Sequence, residues 1–95
     1  MITHNLLLKL RDRSGESIAA AQDLLLTMAG NVEVIRDLQV AVDIKRADSS
    51  YDLALLAKFA SKQDYEAYLV HPFHLQVGTR LKDNIAAAAS VCFED

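Results

Sequence analysis

Hydrophobic and polar residues alternate along the first eleven positions of the chain, which is the pattern of a β-strand. One face is mostly apolar and carries Ile2, His4, Leu6, Leu8 and Leu10. The other face is mixed, because Leu7 stands there among polar residues. The pattern therefore predicts a strand over residues 2–11 that is partly buried on both faces, followed by a turn at residues 12–15.

Apolar residues then recur every three or four positions, which is the spacing of one helix face. This stripe consists of Ile18, Ala21, Leu25 and Met28. Ser14 or Ser17 can cap the start of the helix. A glycine followed by an asparagine is a common helix end, so the helix is expected to reach Gly30.

Two segments that alternate in hydrophobicity follow, one at residues 32–45 and one at residues 51–59. The first is rich in valine and isoleucine, which favour strands. The short polar segment 47–50 between them is typical of a turn. Strands joined so closely pair antiparallel, so the two segments predict a β-hairpin.

A second helix is expected to start after Ser61, which can cap it, and to break at Pro72. Proline also fits the first turn of a helix, so another helix is expected to run on to about Ile85. Residues 88–94 predict a fourth strand. The order is βαββαβ, and we predict a ferredoxin-like α+β sandwich in which helices cover one face of an antiparallel four-stranded sheet.

Size and composition add an expectation about assembly. The chain has 95 residues, which is enough for one domain with a small core. It has a single cysteine, so no disulfide can form within the chain, yet 52% of its residues are hydrophobic. A domain of this size has only marginal stability unless something is added, and the usual additions are disulfides, a metal or a partner subunit. We therefore predict that residues 1–95 form one domain that pairs with a second copy of itself.

Charge and hydropathy exclude several classes of protein. The net charge is -3 and the basic residues are scattered, unlike the basic stripe of a nucleic-acid-binding protein. The apolar runs are too short to cross a membrane, and the first residues do not resemble a signal peptide. Together with the single cysteine, these features predict a cytoplasmic protein that binds neither nucleic acid nor membranes.

The chemistry of the chain is concentrated between Tyr68 and His74. A helix break at Pro72 could aim both side chains into one space. His4, on the apolar face of the first strand, would look into that space, and burial there calls for a hydrogen bond to Tyr68 or His74. Histidine is the usual proton carrier near neutral pH. His71, in contrast, is expected to order the helix break.

These residues resemble, in order and spacing, the stress-responsive A/B barrel (Dabb) domain family over essentially the whole chain. The resemblance rests on three segments: Met1-Ile2-Thr3-His4, Tyr51-Asp52-Leu53-Ala54-Leu55 and Tyr68-Leu69-Val70-His71-Pro72-Phe73-His74. It implies a ferredoxin-like protomer that dimerises through its sheet into a dimeric α/β barrel. The partner implied is therefore a second copy of the chain.

The chain is also distantly similar to one characterised branch of the family, the plant polyketide cyclase olivetolic acid cyclase. This likeness implies aldol closure of a linear polyketide thioester, with His4, Tyr68 and His74 as the catalytic residues. One histidine would remove a proton next to a carbonyl, while the other two groups hydrogen-bond the base and the developing oxyanion. The residues expected to line the ligand pocket beside them are Leu6, Phe73 and Leu75.

Three functions stay open at this point. The first is a stress-associated module that holds a small apolar ligand between sheet and helices. The second is an acid/base enzyme like the cyclase, and the third is a purely structural assembly protein. No cofactor is expected for any of them. No metal site is predicted either, because the three histidines lack a carboxylate or cysteine at ligand spacing, and Cys92 is expected to be a small core residue.

Overall fold

The computed structural model describes residues 1 to 95 and contains four strands and three α-helices. The strands are β1 (Ile2–Leu10), β2 (Asp37–Val42), β3 (Leu53–Phe59) and β4 (Ile85–Glu94), and the helices are α1 (Gly15–Leu26), α2 (Lys62–Leu69) and α3 (Pro72–Leu81). All neighbouring strands pair antiparallel in the order β2-β3-β1-β4. This is the predicted ferredoxin-like fold, with its second helix divided into α2 and α3. None of the helices combines the length and the apolar character that a membrane span requires.

Side chains cap all three helices, and the caps of α1 and α2 are at predicted positions. The Ser14 and Ser61 hydroxyls accept hydrogen bonds from backbone N–H groups in the first turns of α1 and α2. At α3, the Nδ1 atom of His71 accepts a hydrogen bond from the N–H of Phe73 at 3.1 Å, and Pro72 occupies the first helical position. The prediction that His71 orders the helix break is therefore confirmed.

One apolar core lies between the helices and one face of the sheet. Alternate residues of the central strands enter it, including Leu8 of β1 and Phe59 of β3. Burying each large apolar side chain stabilises the fold by about 2 kcal/mol. Because the helices cover one face only, Leu7 of β1 and Val91 of β4 stay exposed on the other.

A buried ion pair joins the loops at one end of the sheet. The carboxylate of Asp52, which has no exposed surface, accepts hydrogen bonds from the Leu10 N–H at 2.8 Å and from the Arg13 Nε at 3.0 Å. Arg13 in turn donates to the carbonyls of Ala47 and Ser50. These bonds fix the segment after β1 against the loop between β2 and β3.

Several predicted element boundaries are wrong. Residues 32–45 do not form one strand: β2 spans only 37–42, Val32 packs into the core from a turn, and the side chain of Ile44 is 97% exposed. The first helix changes to 3-10 geometry at Thr27–Gly30. The third strand starts two residues later than expected, and the fourth starts at Ile85 instead of 88.

The expectation that Cys92 lies in the core is also wrong. Cys92 is exposed, because β4 is an edge strand and most of its residues are open to solvent. Its thiol lies beside the hydroxyl of Tyr65, whose pKa is raised mainly by burial and further by this neighbour. Cys92 therefore lies on the exposed edge strand of the sheet.

Candidate functional site

The break between α2 and α3 brings Tyr68 and His74 into contact. Their ring centroids are 4.3 Å apart, and Tyr68 is 1% exposed. The Nδ1 atom of His74 lies 3.2 Å from the carbonyl oxygen of Leu69. Since a carbonyl oxygen can only accept a hydrogen bond, Nδ1 carries the proton in the neutral ring and Nε2 keeps its lone pair.

Burial sets the protonation states of this pair. It lowers the pKa of His74, the hydrogen bond to the Leu69 carbonyl partly opposes this, and His71 lowers the pKa slightly further. Burial also raises the pKa of Tyr68 to about 12, with a smaller contribution from Tyr65. At neutral pH the pair therefore offers an uncharged imidazole base and a phenolic hydrogen-bond donor.

His4 packs beside Tyr68 without bonding to it. The ring centroids of His4 and Tyr68 are 6.3 Å apart, and their planes are tilted by 58°. The ring centroids of His4 and Tyr65 are 5.2 Å apart. The expected hydrogen bond from His4 to Tyr68 or His74 is absent, and His4 Nδ1 is buried without a partner. Burial, and secondly His74, lower the pKa of His4.

A cavity of about 430 Å³ extends from Tyr68 and His74 between the helices and the sheet. Its walls are largely aliphatic and consist of Leu6, Leu8, Leu25, Met28, Leu55, Tyr68, His74, Val77, Gly78, Leu81, Lys82, Ile85 and Ala88. Sites for small molecules usually have volumes of about 300 to 1,000 Å³, and they combine an apolar wall with a few polar groups. This cavity has that size and that character.

The structure brings some of the expected site residues to this cavity and places others outside it. Tyr68, His74 and Leu6 line it, whereas His4 does not. Phe73 packs against the core elsewhere, and Leu75 is 54% exposed. Successive residues of an α-helix are rotated by about 100° around its axis, so Phe73 and Leu75 cannot lie on the face that carries His74.

The other wall residues come from α3, from the strands β1, β3 and β4, and from the end of α1 and the turns that follow the helices. Two of them, Gly78 and Lys82, follow His74 at intervals of four residues, which is the spacing of one helix face. That spacing was the signal available in the sequence. No aspartate or glutamate lines the cavity. No group of three or more histidine, cysteine or acidic side chains in the chain could hold a metal ion.

Several solved structures share this fold. The protein At3g17210 of Arabidopsis thaliana has a TM-score of 0.86 at 19% identity, covering 100% of this chain and 95% of that one. A dimeric ferredoxin-like protein of unknown function from Bacteroides fragilis has a TM-score of 0.82 at 24% identity, covering 99% and 95%. The hydroxynitrile lyase of Passiflora edulis has a TM-score of 0.82 at 10% identity, covering 97% and 90%.

At these identities the structural likenesses show the fold alone. No curated protein sequence matches the chain. The model of one protein family, however, described as "Stress responsive A/B Barrel Domain", matches residues 2–94, which is nearly the whole sequence. The chain therefore belongs to the stress responsive A/B barrel (Dabb) domain family.

Proposed function

We propose that this protein is a homodimeric, stress-associated module that binds a small apolar ligand in the cavity beside Tyr68 and His74. The observation that carries the proposal is the cavity itself, which joins a long aliphatic wall to one phenol and one imidazole. The stress association rests on the family description alone. A cytoplasmic location, expected from the sequence, stays a prediction.

The free face of the sheet supports the dimer. Leu7 of β1 lies opposite Ala54 of β3 and Ala89 of β4, so the three form an apolar row across the sheet. Leu7 is 40% exposed, and Val91 of β4 on the same face is 64% exposed. Packing two such faces together would bury this row, as in other paired sheets. Solved structures with this fold from Bacteroides fragilis and Thermobifida fusca are described as dimeric.

Charging this face is expected to separate the subunits. The double variant Leu7→Lys, Val91→Lys places four buried ammonium groups in a face-to-face dimer, two from each copy, so it should be monomeric at micromolar concentration. Light scattering coupled to gel filtration measures the mass. Val70→Lys is the control, because Val70 is exposed at the helix break, away from the sheet. A monomeric wild-type protein, or a dimeric double variant, would contradict the proposal.

Ligand binding is tested with 1-decanol, a neutral molecule with one apolar chain. Amide signals of the ¹⁵N-labelled protein are followed by NMR during the titration. Residues such as Leu81 and Ala88, which border the cavity, should shift and saturate, whereas residues of the sheet face opposite the helices, such as Leu7, should not respond. If no amide signal from a residue of the cavity moves, a purely structural role in an assembly is the better explanation of the protein's function.

Acid/base catalysis is a second candidate, favoured by the free lone pair on His74 Nε2. In a reaction of the polyketide-cyclase type, Nε2 would take the proton from a carbon next to a carbonyl. The electron pair would move to the carbonyl oxygen, which would accept a hydrogen bond from the Tyr68 hydroxyl. His4 does not line the cavity, so it would act as a positioning residue through its contact with the Tyr68 ring.

The pH dependence of proton exchange tests this candidate. In D₂O, the protein should accelerate deuterium uptake at the activated methylene of an acetoacetyl thioester. Because the pKa of His74 is lowered, the rate should be constant at neutral pH and fall only below about 6.5, the ordinary pKa of histidine.

His74→Gln should abolish that acceleration. His71→Asn is the control, since asparagine is a good helix cap and His71 does not border the cavity. Equal rates in the wild-type protein and His74→Gln would eliminate catalysis by His74 and leave ligand binding as the function.

A further inference from the structure

Three residues of α3 and the turn after it form a single line along the cavity. His74, Gly78 and Lys82 border it and are spaced four residues apart. Lys82 still has helical backbone angles, with φ -55° and ψ -37°, so the helix face continues to it. With a rise of 1.5 Å per residue, the backbone positions of His74 and Lys82 are about 12 Å apart along the helix axis.

Gly78 leaves a gap in the middle of this line. It lies in the interior of α3, where glycine costs about 1 kcal/mol relative to alanine. The fold does not require glycine there, because its φ is not positive and an added Cβ would have no atom within 4 Å. Gly78 is exposed and borders the cavity, so its missing side chain leaves the cavity open along this part of α3.

Lys82 supplies the positive charge of the cavity. It takes part in none of the four ion pairs of the chain. No acidic side chain lines the cavity, and the two other polar groups, Tyr68 and His74, are uncharged at neutral pH. An anionic group at this end would gain a charge partner, whereas a cationic ligand would meet only repulsion.

We infer that the ligand is an anionic amphiphile, whose single apolar chain passes over Gly78 and whose head group pairs with Lys82. The inference rests on the proposed ligand-binding function and adds the chemical class of the ligand. A carboxylate and a phosphate monoester share the chemistry that Lys82 would recognise. A lysine near a helix C-terminus is also favoured by the helix dipole, so the charge must be tested by its effect on binding.

The test compares three ten-carbon probes, namely decanoate, decyl phosphate and neutral 1-decanol, by NMR titration of the full-length protein. Lys82→Gln should weaken binding of the anionic probes by about fivefold and leave 1-decanol unchanged. Raising the salt concentration should reduce the difference between anionic and neutral probes. Arg80→Gln is the matched control, because Arg80 is a cationic residue of the same helix but does not border this cavity.

Each outcome has a distinct meaning. Tighter binding of decyl phosphate than of decanoate, or the reverse, identifies the head group within the anionic class. Equal affinity of all probes for the wild-type protein and Lys82→Gln would overturn the inference while the ligand-binding proposal survives. If none of the three probes shifts a signal from the cavity, both the inference and the proposed function fail.

Discussion

Replacing Asp52 with alanine is expected to lower the free energy of unfolding by about 3 kcal/mol, because it removes one partner of a buried ion pair. The Asp52 carboxylate is fully buried and accepts hydrogen bonds from the Leu10 N–H and from Arg13. Removing it leaves a buried backbone donor without a partner. It also leaves the Arg13 guanidinium, whose side chain is 24% exposed, without its close counter-ion.

Urea denaturation at a fixed protein concentration measures this change, since a dimer gains apparent stability as concentration rises. Asp48→Ala is the matched control. Asp48 also faces Arg13, with an N–O distance of 3.9 Å, but its side chain is fully open to solvent. Exposed ion pairs contribute little, so Asp48→Ala should change the free energy of unfolding by less than about 0.5 kcal/mol. Equal effects of the two substitutions would mean that the buried network does not hold the loops together.

The fold could be predicted because local signals and overall topology agree. The alternation that starts at Ile2, the cap at Ser61 and the break at Pro72 each specify one element or boundary. Once the order βαββαβ is established, few topologies remain that cover one face of an antiparallel sheet with helices. Periodicity was therefore sufficient for the architecture.

Periodicity failed where burial does not require a strand. Val32 is 1% exposed, yet it lies in a turn and packs against the core without pairing to a neighbouring strand. A valine-rich segment gives the same pattern in either case, so β2 was predicted five residues too early. Cys92 shows the converse, since its strand forms the edge of the sheet and leaves it exposed. Which strand lies at the edge is decided by tertiary packing.

The candidate site was predicted only in part, for a related reason. Tyr68 and His74 are close in sequence, and a helix break between them is a local feature that the proline reveals. The cavity, in contrast, is the space left between α1, α3 and the sheet. Its walls depend on how these elements pack, and Leu75 illustrates this, since it adjoins His74 but points away from the cavity. A helical spacing of four residues from His74 was the sequence signal that leads to Gly78 and Lys82.

The substitution Gly78→Leu is expected to weaken 1-decanol binding by about tenfold or more without destabilising the protein. A leucine side chain at this position would occupy space in the cavity that the ligand needs. Excluding two methylene groups of the ligand costs about 0.8 kcal/mol each, and about 1.4 kcal/mol corresponds to a tenfold loss of affinity. Leucine is also a better helix former than glycine, so the free energy of unfolding should rise by up to about 1 kcal/mol.

Gln76→Leu separates occupation of the cavity from a general effect of hydrophobicity. It places the same side chain on the same helix, at an exposed position that does not border the cavity, so 1-decanol binding should match that of the wild-type protein. NMR titration gives the affinity of each variant, and urea denaturation gives its stability. If Gly78→Leu binds 1-decanol as well as Gln76→Leu does, the alcohol binds elsewhere, and the apolar sheet face opposite the helices becomes the site to examine. If Gly78→Leu loses both stability and binding, the gap at Gly78 is needed for packing, because a leucine that enters free space should not destabilise α3.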